Sequence, residues 1–433
     1  MIIVNGSKEP CGKIGKTLLL AAFVAACAIP AQTQAQLPAG SGKAAVERAC
    51  QSCHDLERVV GFKHAREDWE AVVTLMASMG APLTKDEVPV VIDYLASNFN
   101  GPAKPRPVVI PGNVEISIHE WDTPTKAGAH DPLVAPDGSV WWTGPMGNLV
   151  GRFDPKTQQM KEFTLKTPNS TPHGLVADKD NNIWFTGMTG GYVGKLNPKS
   201  GEITEYHMPD PPPNVGRRTA SGERTLDPHT PVFDQKGFLW FTMQQSSRVG
   251  RLDPKTGEIQ IAAMPTSGRT DPYGIVINSK GVPYFANWRS NRLGSVDPQT
   301  MKITEHVIPF EDARPRRIAV TPDDMVWYGD DARGVLGKFD PKTGQFKEYP
   351  SPSGPTSRPY GMTAVGTIVW YVETGVSPNT VVRFDPKMEK FQSWEIPSGG
   401  GTVRFMVHDP AGDLWLAESG LNKIAKVEVK EKK

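Results

Sequence analysis

The sequence predicts a mainly β chain: a seven-bladed β-propeller closed by an N-terminal strand and preceded by a small all-α domain. Three observations predict it. An aromatic marker returns at Trp141, Trp184, Trp240, Tyr284, Trp327, Trp370 and Trp415, about 43 residues apart with one longer interval after Trp184. Each of the first six markers is followed by an Asp-Pro-type turn, at Asp154-Pro155, Asn197-Pro198, Asp253-Pro254, Asp297-Pro298, Asp340-Pro341 and Asp385-Pro386. The seventh copy stops one strand short, and residues 114–121 supply a strand that has no preceding partner. Pairing that strand with the last blade hides both sheet edges and closes the ring.

The 433 residues carry 48 basic and 47 acidic side chains, with no basic stripe. This balance gives no support to a nucleic-acid or anionic-membrane partner. Gly 42 and Pro 40 fall between short apolar runs, as in an all-β domain with many turns, while 11 Trp and 16 Phe supply core.

Residues 1–35 read as a secretory signal. Lys8, Lys13 and Lys16 form a basic start, and residues 17–31 are mostly apolar but too short for a comfortable span. Val24-Ala25-Ala26-Cys27 also fits a lipobox, so a membrane association is expected only through lipidation at Cys27. Either processing route exports the chain, and the periplasm is the expected compartment.

Residues 41–102 form the small helical domain. Residues 43–56 read as a helix that ends in Cys50-Gln51-Ser52-Cys53-His54. Cys-x-x-Cys-His is the attachment pattern of one covalent c-type haem, with two thiols bonded to the porphyrin and the imidazole as proximal iron ligand. A zinc site would need two more ligands, and the other cysteines, Cys11 and Cys27, lie in the leader. A redox dithiol usually sits beside a βαβ pattern, which is absent. Residues 67–79 place Trp69, Val72, Val73 and Met76 on one helical face. Thr84-Lys85-Asp86-Glu87 is a capping box that opens a third helix, with Val88, Val91, Ile92 and Leu95 apolar. Met76 and Met79 are both candidates for the distal iron ligand, and His64 is a third. The segment resembles a small class I cytochrome c domain, including Asp93-Tyr94-Leu95 in its last helix. Residues 103–113, with Pro105, Pro107 and Pro111, form a Pro-rich linker.

From 114 to 429 each period reads as four short strands, the unit of a propeller blade. The first strand of a blade lines the channel. The residue eleven before the marker therefore forms a ring at one mouth: His130, His173, His229, Tyr273, Arg316 and Arg404, with Tyr360 from the shorter sixth copy. Three residues past the marker come Gly144, Gly187, Met243, Asn287, Asp330, Glu373 and Glu418, which sets three carboxylates against three imidazoles. Three readings are open. The ring is a blade signature that fills the mouth; or Arg316, Arg404 and the histidines hold a small anion; or His130, His173 and His229 hold a divalent metal. An insertion at 210–226, with Arg217, Arg218 and Arg224, enters the third blade at this face as a lid, a docking surface or a solvated loop.

The Trp-Phe-Thr, Val-Gly-Arg-Leu-Asp-Pro-Lys-Thr-Gly and Pro-His-Gly strings resemble streptogramin B lyase (virginiamycin B lyase) and its relatives. The resemblance implies a seven-bladed propeller that opens a cyclic depsipeptide by elimination, with Mg²⁺, a His base and two Glu ligands. A Glu-Pro-His string opens one blade in that family, and Asp227-Pro228-His229 matches it, making His229 the candidate catalytic base. The second Glu would stand at Met243, so one metal carboxylate is missing.

Two expectations of function follow, with a third that is not enzymatic. The first is an exported haem protein in electron transfer whose propeller binds a small anionic substrate, a metal or a periplasmic redox partner. The second is a carbon–oxygen lyase or lactone hydrolase with an accessory cytochrome. The third makes the propeller a docking platform for a periplasmic dehydrogenase.

Overall fold

A computed structural model describes residues 37–51, 56–61, 63–78, 81–219 and 222–431. The expected signal with Cys11 and Cys27, the motif residues Ser52, Cys53 and His54, and Met79 lie outside them.

Seven four-stranded antiparallel sheets make up the propeller. Blade 1 opens with Pro132–Val134, blade 2 with Pro172–Ala177, blade 3 with Pro228–Phe233 and blade 4 with Pro272–Ile277. Blade 5 opens with Pro315–Val320, blade 6 with Pro359–Val365 and blade 7 with Val403–His408. The aromatic markers stand in the second strands and are buried between blades. Trp184 and Trp240 donate their indole N–H to Asp178 and Asp234, six residues earlier, each at 2.9 Å. A buried indole keeps its hydrogen bond this way, and Trp327 and Trp415 do the same with Thr321 and Asp409.

Val114–Asp122 pairs with the third strand of blade 7, Lys423–Glu431, in register from Val114 opposite Glu431 to Asp122 opposite Lys423. The N-terminal strand thus closes the seventh blade. Trp121 stacks on Trp415 with ring centroids 5.9 Å apart, and Trp415 packs with Trp142 and Phe153 of blade 1.

At this seam Glu418 is buried, and burial together with the neighbouring Glu120 pushes its carboxyl pKa up to about 8 from 4.5. The folded chain therefore holds a proton that the unfolded chain releases at neutral pH. Stability from this group is complete below pH 4.5 and is lost as pH rises through about 8. Thermal melts from about pH 5 to about pH 9 should show a falling Tm, and Glu418→Gln should flatten that slope. An unchanged slope in the variant would assign the titration to another group.

The helical segment contains α1 (Lys43–Gln51), α2 (Glu57–Val60), α3 (Arg66–Ser78) and α4 (Glu87–Asn98). The capping box forms as the sequence predicts. Thr84 N donates to Glu87 Oε2 at 2.9 Å, and Glu87 N to Thr84 Oγ1 at 3.3 Å. Just before α1 the backbone comes against α4 at Gly42, where a Cβ would stand 2.8 Å from Tyr94 Cβ and 3.0 Å from the Val90 carbonyl. The linker is extended and fastened to the propeller. Ser377 N donates to the Pro105 carbonyl at 3.0 Å, Val108 N to Ser353 Oγ at 3.0 Å, and Ser393 N to the Ile110 carbonyl at 3.0 Å.

Candidate functional site

In blades 2 to 7 the first strand carries a β-bulge at the ring position. Register breaks between Pro172 and Leu175, Pro228 and Pro231, Pro272 and Ile275, Pro315 and Ile318, Pro359 and Met362, and Val403 and Met406. Two residues face one on the partner strand, and a bulge re-aims side chains that regular alternation would send to opposite faces. The channel therefore receives the ring residue and the residue after it. The pairs that matter are His229 with Thr230, Arg316 with Arg317 and, in blade 1, His130 with Asp131, where His130 N donates to the Thr143 carbonyl at 2.9 Å and Thr143 N to the Asp131 carbonyl at 3.2 Å.

The three histidines of the ring meet. His130 and His173 have ring centroids 4.2 Å apart, His173 and His229 3.7 Å, and His229 and Tyr273 4.3 Å. A repeated threonine sets this spacing. Thr143, Thr186 and Thr242, last in each Trp-x-Thr string, donate to the main-chain carbonyls of His173, His229 and Tyr273 at 2.7, 2.7 and 2.6 Å. Each hydroxyl ties one blade to the ring residue of the next. The string stops at blade 3; the same position is Ala286, Gly329, Val372 and Ala417 in blades 4 to 7. The glycine of Pro-His-Gly has its own steric reason, because a Cβ on Gly174 would lie 2.6 Å from the His229 carbonyl.

Across the channel the ring is cationic and phenolic. Arg316 lies over Tyr360 at 3.7 Å and over Trp288 at 4.5 Å, and reaches Asp331 at 3.2 Å. Tyr273 and Tyr360 share a hydrogen bond of 2.5 Å between their hydroxyls. Burial raises a phenol pKa, but Arg316, Arg404 and Arg317 outweigh it at Tyr360, whose pKa is lowered. Burial, with Tyr360 adding to it, raises that of Tyr273. Among the described residues Arg404 makes no ion pair, and its Nε is buried without a hydrogen-bond acceptor; Arg316 Nε is in the same position.

Arg317 crosses the channel. From blade 5 it donates to Asp131 Oδ1 of blade 1 at 2.8 Å, to Thr230 Oγ1 of blade 3 at 3.3 Å and to the Arg404 carbonyl of blade 7 at 3.1 Å. Burial first, then the guanidinium and imidazole neighbours, holds His130, His173 and His229 well below the ordinary imidazole pKa. All three are neutral at pH 7 and present lone pairs.

The carboxylates three residues past the markers serve their own blades. Asp330 accepts from the backbone of Arg314, Ala332 and Arg333 and pairs with the Arg333 side chain. Glu373 accepts from Ser351, Ser353 and Thr380. Glu418 belongs to the closure seam. Gly144, Gly187, Met243 and Asn287 occupy the corresponding positions and are buried. In Asp227-Pro228-His229 the carboxylate accepts from Gln245 N, Ser246 N and Ser246 Oγ, and His229 Nδ1 pairs with Thr230 Oγ1 at 2.8 Å. The Mg²⁺ site implied by the lyase resemblance does not fit these residues, because Asp227 is spent on its own turn and Met243 has no oxygen donor. The 210–226 insertion folds into a short hairpin, Arg217–Arg218 with Arg224–Thr225.

Asp131 and Arg317 escaped the sequence reading because strict alternation aims the residue after each ring position away from the channel, and the three threonines because their bonds run to the neighbouring blade. The Trp-x-Thr string, confined to three successive blades, was the available signal.

The profile of the virginiamycin B lyase family matches residues 112–223 and 220–432. Among solved structures, a selenomethionine form of virginiamycin B lyase from Staphylococcus aureus is 24% identical with a TM-score of 0.64, covering 72% of this chain and 99% of its own. A streptogramin B lyase is 25% identical with a TM-score of 0.64, covering 73% and 98%. Kuenenia stuttgartiensis hydrazine synthase is 14% identical with a TM-score of 0.55, covering 72% and 97%. The likeness to the Staphylococcus and Kuenenia proteins is one of fold. No curated protein matches the chain.

Proposed function

The chain belongs to the virginiamycin B lyase family, and we propose that this member is an exported, periplasmic electron-transfer protein. It carries one c-type haem on Cys50, Cys53 and His54, and its propeller mouth holds a small anionic substrate. The observations that carry this reading are the Cys50-Gln51-Ser52-Cys53-His54 motif and a cationic mouth in which Arg316 and Arg404 keep a buried Nε with no acceptor among the described residues. Arg316, stacked on Tyr360, shares Asp331 with Arg358, which reaches the carboxylate at 3.2 Å. Burial lowers the His64 pKa, and of its charged neighbours Asp68 opposes the shift while Arg358 and Lys104 add to it. His64 in turn packs edge-on against Trp69 at 4.8 Å.

The donors suit a haem. Cys50 is half-buried near the end of α1, and Met76 is half-buried on α3, two turns beyond the buried Trp69. When bound, the haem supplies one-electron chemistry at a potential tuned by its axial ligands. The chain's own residues do the rest. Arg404 and Arg316 offer charged donors to an anion, the buried rings of His173, His229 and Tyr273 pack beside them, and Ser377 N and Ser393 N fasten the linker to blade 6.

Two measurements on the full-length chain test the reading. Haem stain and a redox titration should give a covalent, reversible couple, with the stain lost in Cys50→Ser/Cys53→Ser. Acetate and phosphate should raise the Tm of the wild type, and Arg404→Leu should require about tenfold more anion for the same shift. A chain with no reversible couple overturns the electron-transfer role. Elimination of a cyclic depsipeptide, abolished by His229→Ala, would favour the lyase reading instead. Capture of a periplasmic dehydrogenase by a chain with no anion response would favour the docking platform.

A further inference from the structure

We propose that His130, Asp131 and His173 form a binding site for a divalent transition-metal ion. Each residue offers one ligand atom, and these atoms lie within 4.8 Å of one another. His173 Nδ1 stands 3.9 Å from Asp131 Oδ2, and His130 Nδ1 stands 2.8 Å from Asp131 Oδ1. Donors about 2.0–2.2 Å from a tetrahedral ion lie about 3.4 Å apart, so movements of a fraction of an ångström complete the set.

A second observation points to a missing ligand. Among the described residues Asp131 Oδ2 and His173 Nδ1 are both buried and have no hydrogen-bond partner. Asp131 is 1% exposed and His173 5%. A carboxylate oxygen and an imidazole nitrogen aimed at one gap and left unsatisfied are costly in a dry interior. A shared cation satisfies both.

The surroundings are built to hold the donors. Thr143 bonds the His173 carbonyl and receives Asp131 N at 3.2 Å, so one hydroxyl sets the separation of two ligands. His229 packs against His173 with ring centroids 3.7 Å apart and, with its Nδ1 on Thr230, is a positioning residue. Arg317 takes Asp131 Oδ1 and leaves Oδ2 open, which orients the carboxylate as outer partners orient metal ligands generally. Two imidazoles and one carboxylate select zinc, iron or copper over magnesium. With Arg316, Arg317 and Arg404 around the same mouth, the ion binds together with an anion. The inference rests on the mouth being a ligand site and is independent of the haem.

The test is equilibrium dialysis of the full-length, chelator-treated protein against Zn²⁺ with acetate present, followed by elemental analysis. Wild type should retain about one zinc per chain and show a raised Tm, and His173→Gln and His130→Gln should fall to background. Circular dichroism of each variant separates loss of metal from loss of fold. Zinc retained at the same stoichiometry in both folded variants, or absent from the wild type, overturns the site. Because acetate binding by the zinc-free protein and the haem couple are read separately, failure here leaves those results standing.

Discussion

Arg317→Met should destabilise the propeller by about 3–5 kcal/mol, as expected when one partner of a buried ion pair is removed. Arg317 is 0% exposed and Asp131 1%, so neither charge can turn to water in the folded state. Met roughly fills the volume of the side chain but leaves the Asp131 carboxylate with His130 alone, leaves Thr230 Oγ1 with His229 alone, and removes the guanidinium donor from the Arg404 carbonyl. The loss spans blades 1, 3, 5 and 7, so it should appear as a lower denaturant midpoint of the whole propeller rather than as local fraying. Combining it with Asp131→Asn removes the orphaned charge. The double variant should regain part of the stability, and the cycle would return a coupling energy of about 1–3 kcal/mol. A single variant within about 1 kcal/mol of wild type would mean that water or a rearranged neighbour compensates Asp131.

The same residue shows where sequence reasoning stops. Blade count, blade order and closure were legible because each rests on a periodic signal: the buried Trp with its turn acceptor, the Asp-Pro turn, and the odd strand at 114–121. The ring was legible for the same reason, since His130, His173 and His229 stand at one offset from one marker. Arg317 and Asp131 also share an offset, ten before Trp327 and Trp141, but alternation aims that position away from the channel. Arg317 reaches the channel through a bulge and Asp131 through the bonding of both His130 and Asp131 to Thr143, and neither alters the repeat length or shows in alternation. The carboxylates illustrate the opposite problem. Asp330, Glu373 and Glu418 share one offset, yet offset alone does not say whether a buried carboxylate is open or already saturated by serines, threonines and backbone N–H groups. In Glu373 four donor atoms of three residues account for both oxygens.

Removal of the closing strand should have the largest effect on the fold. A chain that begins after Asp122 loses nine paired positions along Lys423–Glu431, from Val114 to Asp122. Each backbone hydrogen bond in that ladder contributes about 0.5–1.5 kcal/mol net, so the ladder alone approaches the 5–15 kcal/mol that holds a typical domain together. Its side chains add to this. Val114 is buried in the core of blades 6 and 7, Ile116 and Ile118 pack against that core, and Trp121 covers Trp415. The strand left behind, Lys423–Glu431, would present an open edge, which is a template for intermolecular pairing. The truncated chain should therefore aggregate, or melt without a cooperative transition. The point variant Ile118→Asp should lower the Tm while the chain stays soluble, because it sets a charge against the apolar core at a half-buried position and keeps the ladder. A synthetic peptide of residues 113–123 added during refolding should restore a cooperative melt to the truncated chain. A truncated chain that melts like the wild type would show that six complete blades and three strands suffice, and the closing strand would then be ornament rather than clasp.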